Sequence, residues 1–241
     1  MTEPAFERPT PPSLMSRAIG VITAPRATFE KIVAAPRVGG ALMLVTIIST
    51  LAVGLLLSSE RGQQAWIDQA VAQQEAWGQT VSDDAYKGLQ GMAKYAAYMG
   101  AAQFIVGVPL GALIMGGILF AIFNALMGGT ATFKQVMAVV AHSQIISALA
   151  FLVTTPINYV KGTMTGATNL GVLLPMLDES SFAARLLGMM DLFLLWWLFV
   201  LSVGIAVLYK RKTSSVAMIL FGIYLVIALG FSAFLASRSG S

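Results

Sequence analysis

Asp191–Lys212 reads DLFLLWWLFVLSVGIAVLYKRK, and the fold class turns on it. A carboxylate opens the stretch, about eighteen uncharged residues follow, and Lys210-Arg211-Lys212 ends it. A hydrophobic run of that length predicts a membrane-spanning helix, the one conformation that meets a single segment's backbone hydrogen-bonding needs in lipid. The triple-basic stop predicts that this end faces the cytoplasm.

Outward from this stretch the composition agrees. Of 241 residues, 57% are hydrophobic and only 11% charged, with a mean hydropathy of +0.78. An ordinary soluble domain carries about a quarter charged residues. The expected fold is therefore an all-α polytopic membrane bundle. The sequence has no cysteine, which excludes disulfides and thiolate metal sites. No secretory signal peptide is expected, because the first apolar run begins near residue 38, behind Glu3, Glu7 and Glu30.

Hydropathy predicts five spans, at about residues 38–57, 95–127, 136–157, 186–209 and 216–236. Residues 1–13, rich in proline, read as a flexible tail, residues 14–236 as one membrane domain, and 237–241 as a short tail. The 95–127 run is too long for one upright span, so it either tilts or projects its first residues from the membrane. Pro109 allows a kink there.

Between residues 14 and 37, Leu14, Ala18, Ile19 and Ile22 recur at helical spacing until Pro25, which can open a second short helix carrying Phe29, Ile32 and Val33. Arg17, Arg26, Lys31 and Arg37 give this segment a basic face. The expectation is an interfacial amphipathic hairpin on anionic lipid; the alternative is a helical hairpin packed on the protein. Residues 58–94 are polar and helical in pattern, with Ser82-Asp83-Asp84 as a helix start. Residues 158–185 form a loop with a small apolar patch at 172–177.

With a cytoplasmic N-terminus, the inside segments hold nine Lys and Arg residues and the outside segments six. Most acids, including Glu60 to Asp84, Asp178 and Glu179, then fall outside. Five spans place the C-terminus outside.

Three stretches together carry a family resemblance: GVITAPRATFEKIVAAPR (20–37), GGTATFKQVMAVVAHSQI (128–145) and DLFLLWWLFVLSVGIAV (191–207). In that order and spacing the chain resembles the prokaryotic branch of the Yip1 family, over about residues 14–236. The resemblance implies five spans, a cytoplasmic N-terminus and no assigned reaction, and hence an integral protein of a bacterial inner membrane. Eukaryotic relatives act in vesicle traffic and associate with Rab-type small GTPases. This chain lacks the Asp-Leu-Tyr-Gly-Pro element expected in their N-terminal regions, so GTPase binding is not carried over to it.

The sequence has no G-x-S-x-G elbow, no H-E-x-x-H, no cysteine nucleophile and no phosphate-binding G-x-x-x-x-G-K-[ST] loop. The reading is a protein that is not an enzyme, with no catalytic, cofactor or metal site and no nucleic-acid partner. Membrane lipid, other membrane proteins or a second copy of the chain are the expected partners.

Polar residues within spans are the candidate functional groups. Asp191 is expected well inside a helix that starts near Ser180 or Ser181, beyond help from its dipole, and paired with Asn158 or Lys161. Ser143, Ser147 and Thr154 share a polar stripe flanked by His142 and Gln144, read as interhelical hydrogen bonding ahead of a polar pathway. A proton relay from His142 to Asp191 needs Asn124 or water between them. Gly107, Gly111, Ala112 and Gly116 read as a small-residue packing surface within the chain. Trp196 and Trp197 lie near mid-span. Lys210, Arg211 and Lys212, with the basic N-terminal residues, set topology and can contact lipid. Two functions follow: a non-enzymatic membrane-organising or partner-binding component is preferred, and a small-solute, ion or proton transporter using Asp191, His142 and Asn124 is the alternative.

Overall fold

The computed structural model describes residues 12–164, 166–174, 176–177 and 181–238. Most of the expected N-terminal tail (1–11), part of the C-terminal one (239–241), and Asp178 and Glu179 lie outside the described residues. The chain is helical from α1 to α11 in order: Leu14–Thr23, Pro25–Ala34, Gly39–Leu57, Glu60–Ala76, Asp83–Ala93, Ala96–Phe120, Phe133–Ser143, Ile145–Lys161, Phe182–Met189, Leu192–Leu208 and Thr213–Arg238.

Four helical segments are long and apolar enough to cross a membrane: Gly39–Leu57, Ala96–Leu126, Phe133–Lys161 and Thr213–Ser237. Leu192–Leu208 is apolar but has only 17 residues. The 186–209 helix expected from hydropathy is thus two helices. The chain breaks at Met190, and Asp191 restarts it as the N-cap of α10. An aspartate side chain that satisfies the first free N–H groups of a helix competes with helix continuation, which is why the break falls there.

The remaining starts follow the same chemistry. Ser13, Ser59, Ser82 and Ser181 each accept a hydrogen bond from the first turn of the helix they precede. Thr132 and Gln135 form a reciprocal capping box at α7. α8 ends on Gly162, whose left-handed φ of 67° suits a residue without a Cβ. The long 95–127 run is a single helix that contains Pro109 and finishes in a π turn, Ala121–Leu126.

The hairpin α1–α2 packs on the protein. Val21, Phe29 and Ile32 are fully buried in one cluster with residues of α7 and α10. One part of the expected basic face is corrected: Arg17 is 7% exposed and turned into the protein, while Arg26, Lys31 and Arg37 stay exposed. Arg26 pairs with Glu30 at 3.7 Å. The hairpin packs inward partly through Gly204 of α10, where a Cβ would sit 2.6 Å from Val139 and 3.1 Å from the Phe29 ring. The missing side chain lets α2, α7 and α10 meet.

α7 is therefore the centre of the bundle, buried at every position from Val136 to Ser143. α6 runs along α3, and α11 along α10, each with a broad exposed apolar face. At the end opposite α1 and α2, α4 and α5 lie beyond the bundle. Trp77, just after α4, meets Phe231 and Phe234 of α11 edge-on.

Candidate functional site

Three separate polar nodes account for the main intramembrane candidates. The first is Asp191. Its Oδ1 accepts from the backbone N–H groups of Phe193 (2.9 Å) and Leu194 (3.1 Å), and its Oδ2 accepts from the Thr168 hydroxyl. Backbone bonds tie the same place down: Leu170 donates to Met190 and Leu192 donates to Thr168. The expectation of a mid-helix carboxylate paired with Asn158 or Lys161 is corrected on both counts. Asp191 sits where the helix dipole favours it, and its partners are a hydroxyl and two amides. Asn158 instead donates to the Met164 carbonyl at 3.1 Å, and Lys161 is exposed in the last turn of α8.

The second node joins residues 125 apart in sequence. His142 is fully buried; its Nδ1 lies 2.8 Å from the Ala138 carbonyl and its Nε2 3.1 Å from the Arg17 guanidinium. A carbonyl can only accept, so Nδ1 carries the proton, and Nε2 accepts from Arg17. Burial, then the charge of Arg37, hold the Arg17 guanidinium below its usual pKa. This node fastens α1 to α7.

Asn124, in the π turn, makes the third. It donates to the Ala131 carbonyl (2.7 Å) and accepts from the Tyr209 hydroxyl (2.7 Å), while Phe123 stacks on the Tyr209 ring. Arg211 donates to the Met127 carbonyl at 3.2 Å, and Lys210 takes a left-handed φ of 52° in the same turn. Two loops at the α1–α2 end are clamped together in this way. Lys31, Arg37 and Lys212 are exposed.

The expected small-residue surface splits. Ala112 is fully buried and Gly116 packs on Met137, but a Cβ at Gly107 or Gly111 would meet nothing within 4 Å. The G-x-x-x-G spacing is therefore not an intrachain helix contact, and that expectation is corrected. Close approach occurs instead at Gly204.

At the Asp191 node a crevice opens, made of adjoining pockets that share lining residues. A cleft of about 1080 Å³ at the α4 end is lined by Gln69, Gln73, Asn158, Thr168, Asp191 and Ser232. A narrower space past Thr154 and Ser147 leads to a pocket of about 430 Å³ between α3, α6, α8 and α10. Ser49, Gln144 and Trp197 line this deeper pocket, and each carries a buried polar atom without a hydrogen-bond partner. Asn158 Oδ1 is a fourth such atom, at the cleft. Of the six buried side-chain polar atoms without partners among the described residues, four thus belong to this one crevice. Such atoms each cost about 1–3 kcal/mol, so their clustering marks a place to look for ligands or water.

A family model for the Yip1 domain matches residues 19–235. The chain belongs to the Yip1 family. It is also similar to the membrane protein YknW of Bacillus subtilis (strain 168), with 27% identity over 231 residues, 92% of each chain. No solved structure matches it. The Yip1 domain takes in Asp191, His142, Asn124 and the whole crevice, while Arg17 lies just ahead of the matched residues.

Sequence reasoning missed Thr168 and Tyr209 as partners and Ser49 as a lining residue, and it misjudged Asp191. One signal was present: an aspartate directly before an apolar run is an N-cap signature.

Proposed function

We propose that this integral membrane protein of the Yip1 family organises or binds other membrane components and catalyses no reaction. The arrangement of its polar groups carries the reading. Asp191, His142 and Asn124 are each engaged in a separate local set of hydrogen bonds that fastens helices or loops. A proton or ion path needs groups in series, whereas these three work as clamps.

The same reading takes α10 as a fifth span. Its 17 residues reach about 25 Å at 1.5 Å per residue, at the short end of what crosses a bilayer. With five spans, the excess of basic residues sets the N-terminus in the cytoplasm of a bacterial inner membrane and the C-terminus outside. Exposed apolar faces on α6 and α11 are the surfaces offered to lipid or to another membrane protein.

A solute pathway is the second reading, favoured by the crevice with its unpartnered Ser49, Gln144 and Trp197. Crosslinking in native membranes together with liposome flux separates the two. A specific crosslinked partner, with no flux of protons or small solutes, is the expected result. Flux that disappears in Asp191→Asn overturns the organising role.

A further inference from the structure

α10 is shorter than the helix it lies against. The two run side by side from the turn at 209–212, where 17 residues carry α10 about 25 Å and 26 carry α11 about 39 Å. Beside the far end of α11, about 14 Å of depth is left for another element to fill. Met189, the last residue of α9, shows which one. Its carbonyl accepts from the Tyr224 hydroxyl, and its sulfur accepts from the Ser232 hydroxyl at 3.4 Å. Those two residues lie about 21 and 9 Å short of the α11 end at Arg238, so α9 is rooted within the depth that α11 crosses. Its eight residues, about 12 Å long, pack along α11.

The segment before α9 belongs to the same element. A 3₁₀ turn, Leu170–Leu173, meets α9 backbone to backbone: a Cβ at Gly171 would lie 3.7 Å from the Gly188 Cα. Contact through two glycines leaves the large side chains of both arms turned elsewhere. Leu173 is 71% and Met176 78% exposed, Leu174 and Phe182 are exposed as well, and neither the turn nor α9 buries a residue. The backbone, by contrast, is closed. Leu170 donates to Met190, Val172 to Asn169, Leu174 to Gly171 and Leu177 to Leu174. Spent amides beside bare leucines suit acyl chains, whereas water would hydrate the amides freely and meet the leucines at a cost. The polar side chains Thr168, Asn169 and Arg185 line the cleft instead.

We infer that residues 170–177 and α9 form a re-entrant element seated in the leaflet on the α4 side, with their apolar side chains against lipid acyl chains. The element is then a thin wall between the hydrocarbon and the cleft. Irregular backbone is tolerated at membrane depth where it lines a cavity, as Thr168 and Asn169 do here. This rests on α10 and α11 being spans, and it moves part of the expected 158–185 loop into the membrane domain.

The test uses the full chain in liposomes, labelled with bimane at one cysteine in a sequence that has none of its own. The sites are Leu173→Cys and Met176→Cys, with Val226→Cys on the exposed side of α11 and Asp68→Cys on exposed α4 as references. Brominated acyl chains should quench Leu173→Cys and Met176→Cys strongly and Asp68→Cys hardly at all, and aqueous iodide should do the reverse. Bromines near the ester end should act best at Leu173 and Met176, and bromines near the methyl end at Val226, halfway along α11. Lipid quenching at Val226 with none at Leu173 and Met176 overturns the inference and leaves α11 a span. No lipid quenching at Val226 overturns both. A Leu173→Cys disulfide dimer that shuts out brominated lipid also overturns the inference, because a second copy then covers the patch.

Discussion

Phe133–Lys161 and Ala96–Leu126 are both long apolar helical segments, yet 61% of the most apolar window is buried in the first and 17% in the second. α7 is enclosed by α2, α6 and α10, whereas α6 meets its neighbours along one side. Lipid is as apolar as leucine, so facing it costs an apolar side chain little, and hydropathy does not separate a membrane core from a lipid-facing helix. Small residues and polar partners do. Gly204 marks the tight region, and the open Gly107 and Gly111 mark the loose one.

The sharpest way to break this contrast is Gly204→Leu. Its Cβ alone already crowds Val139 and Phe29, so the variant should lose about 3 kcal/mol or more, read as a fall in melting temperature in detergent. His142→Leu comes next. It strips the buried Arg17 guanidinium of its imidazole partner and should cost about 2–3 kcal/mol. Combined with Arg17→Leu, the loss should be smaller than the sum of the two single variants in a double-mutant cycle. If the losses simply add, the two residues do not act as a unit. Asp191→Ala should cost about 1–2 kcal/mol through the lost cap, and Asp191→Asn much less, since asparagine also caps helices well. Gly111→Ala is the smallest. Its effect on the monomer should stay within about 1 kcal/mol, on the stabilising side, because only helix propensity changes. A large loss there, measured by the same melting assay, would show that the face is occupied after all.

Much of the fold was legible because the signals are local. Apolar run length marks the four long helices, and Pro25 and Ser82 punctuate the chain where their chemistry demands, whereas α8 runs on to Lys161 past the expected end at 157. The break before α10 was harder, because residues 186–209 read as one continuous apolar stretch with Asp191 as a defect inside it. The structure makes that defect a beginning. The Arg17–His142 contact was not legible at all. Periodicity reports faces within one helix, and Arg17 taken alone is one more basic residue beside a membrane. Its burial depends on α7, 125 residues further along. Of the expected stripe, Ser147 and Thr154 line the crevice, whereas Ser143 is buried and donates to the Val140 carbonyl. The other walls of the crevice come from α3, α6 and α10, which no single segment reveals.

The last turns of α11 carry a practical consequence. Phe231 and Phe234 hold Trp77, while Phe231, Ser232 and Leu235 form part of the cleft wall, and exposed Ser237 follows within two residues of Leu235. An environment-sensitive dye attached through Ser237→Cys, in a chain that has no other cysteine, therefore sits beside the cleft as a built-in reporter of its occupancy. A bulky fusion at the same place presses on the wall it is meant to leave undisturbed.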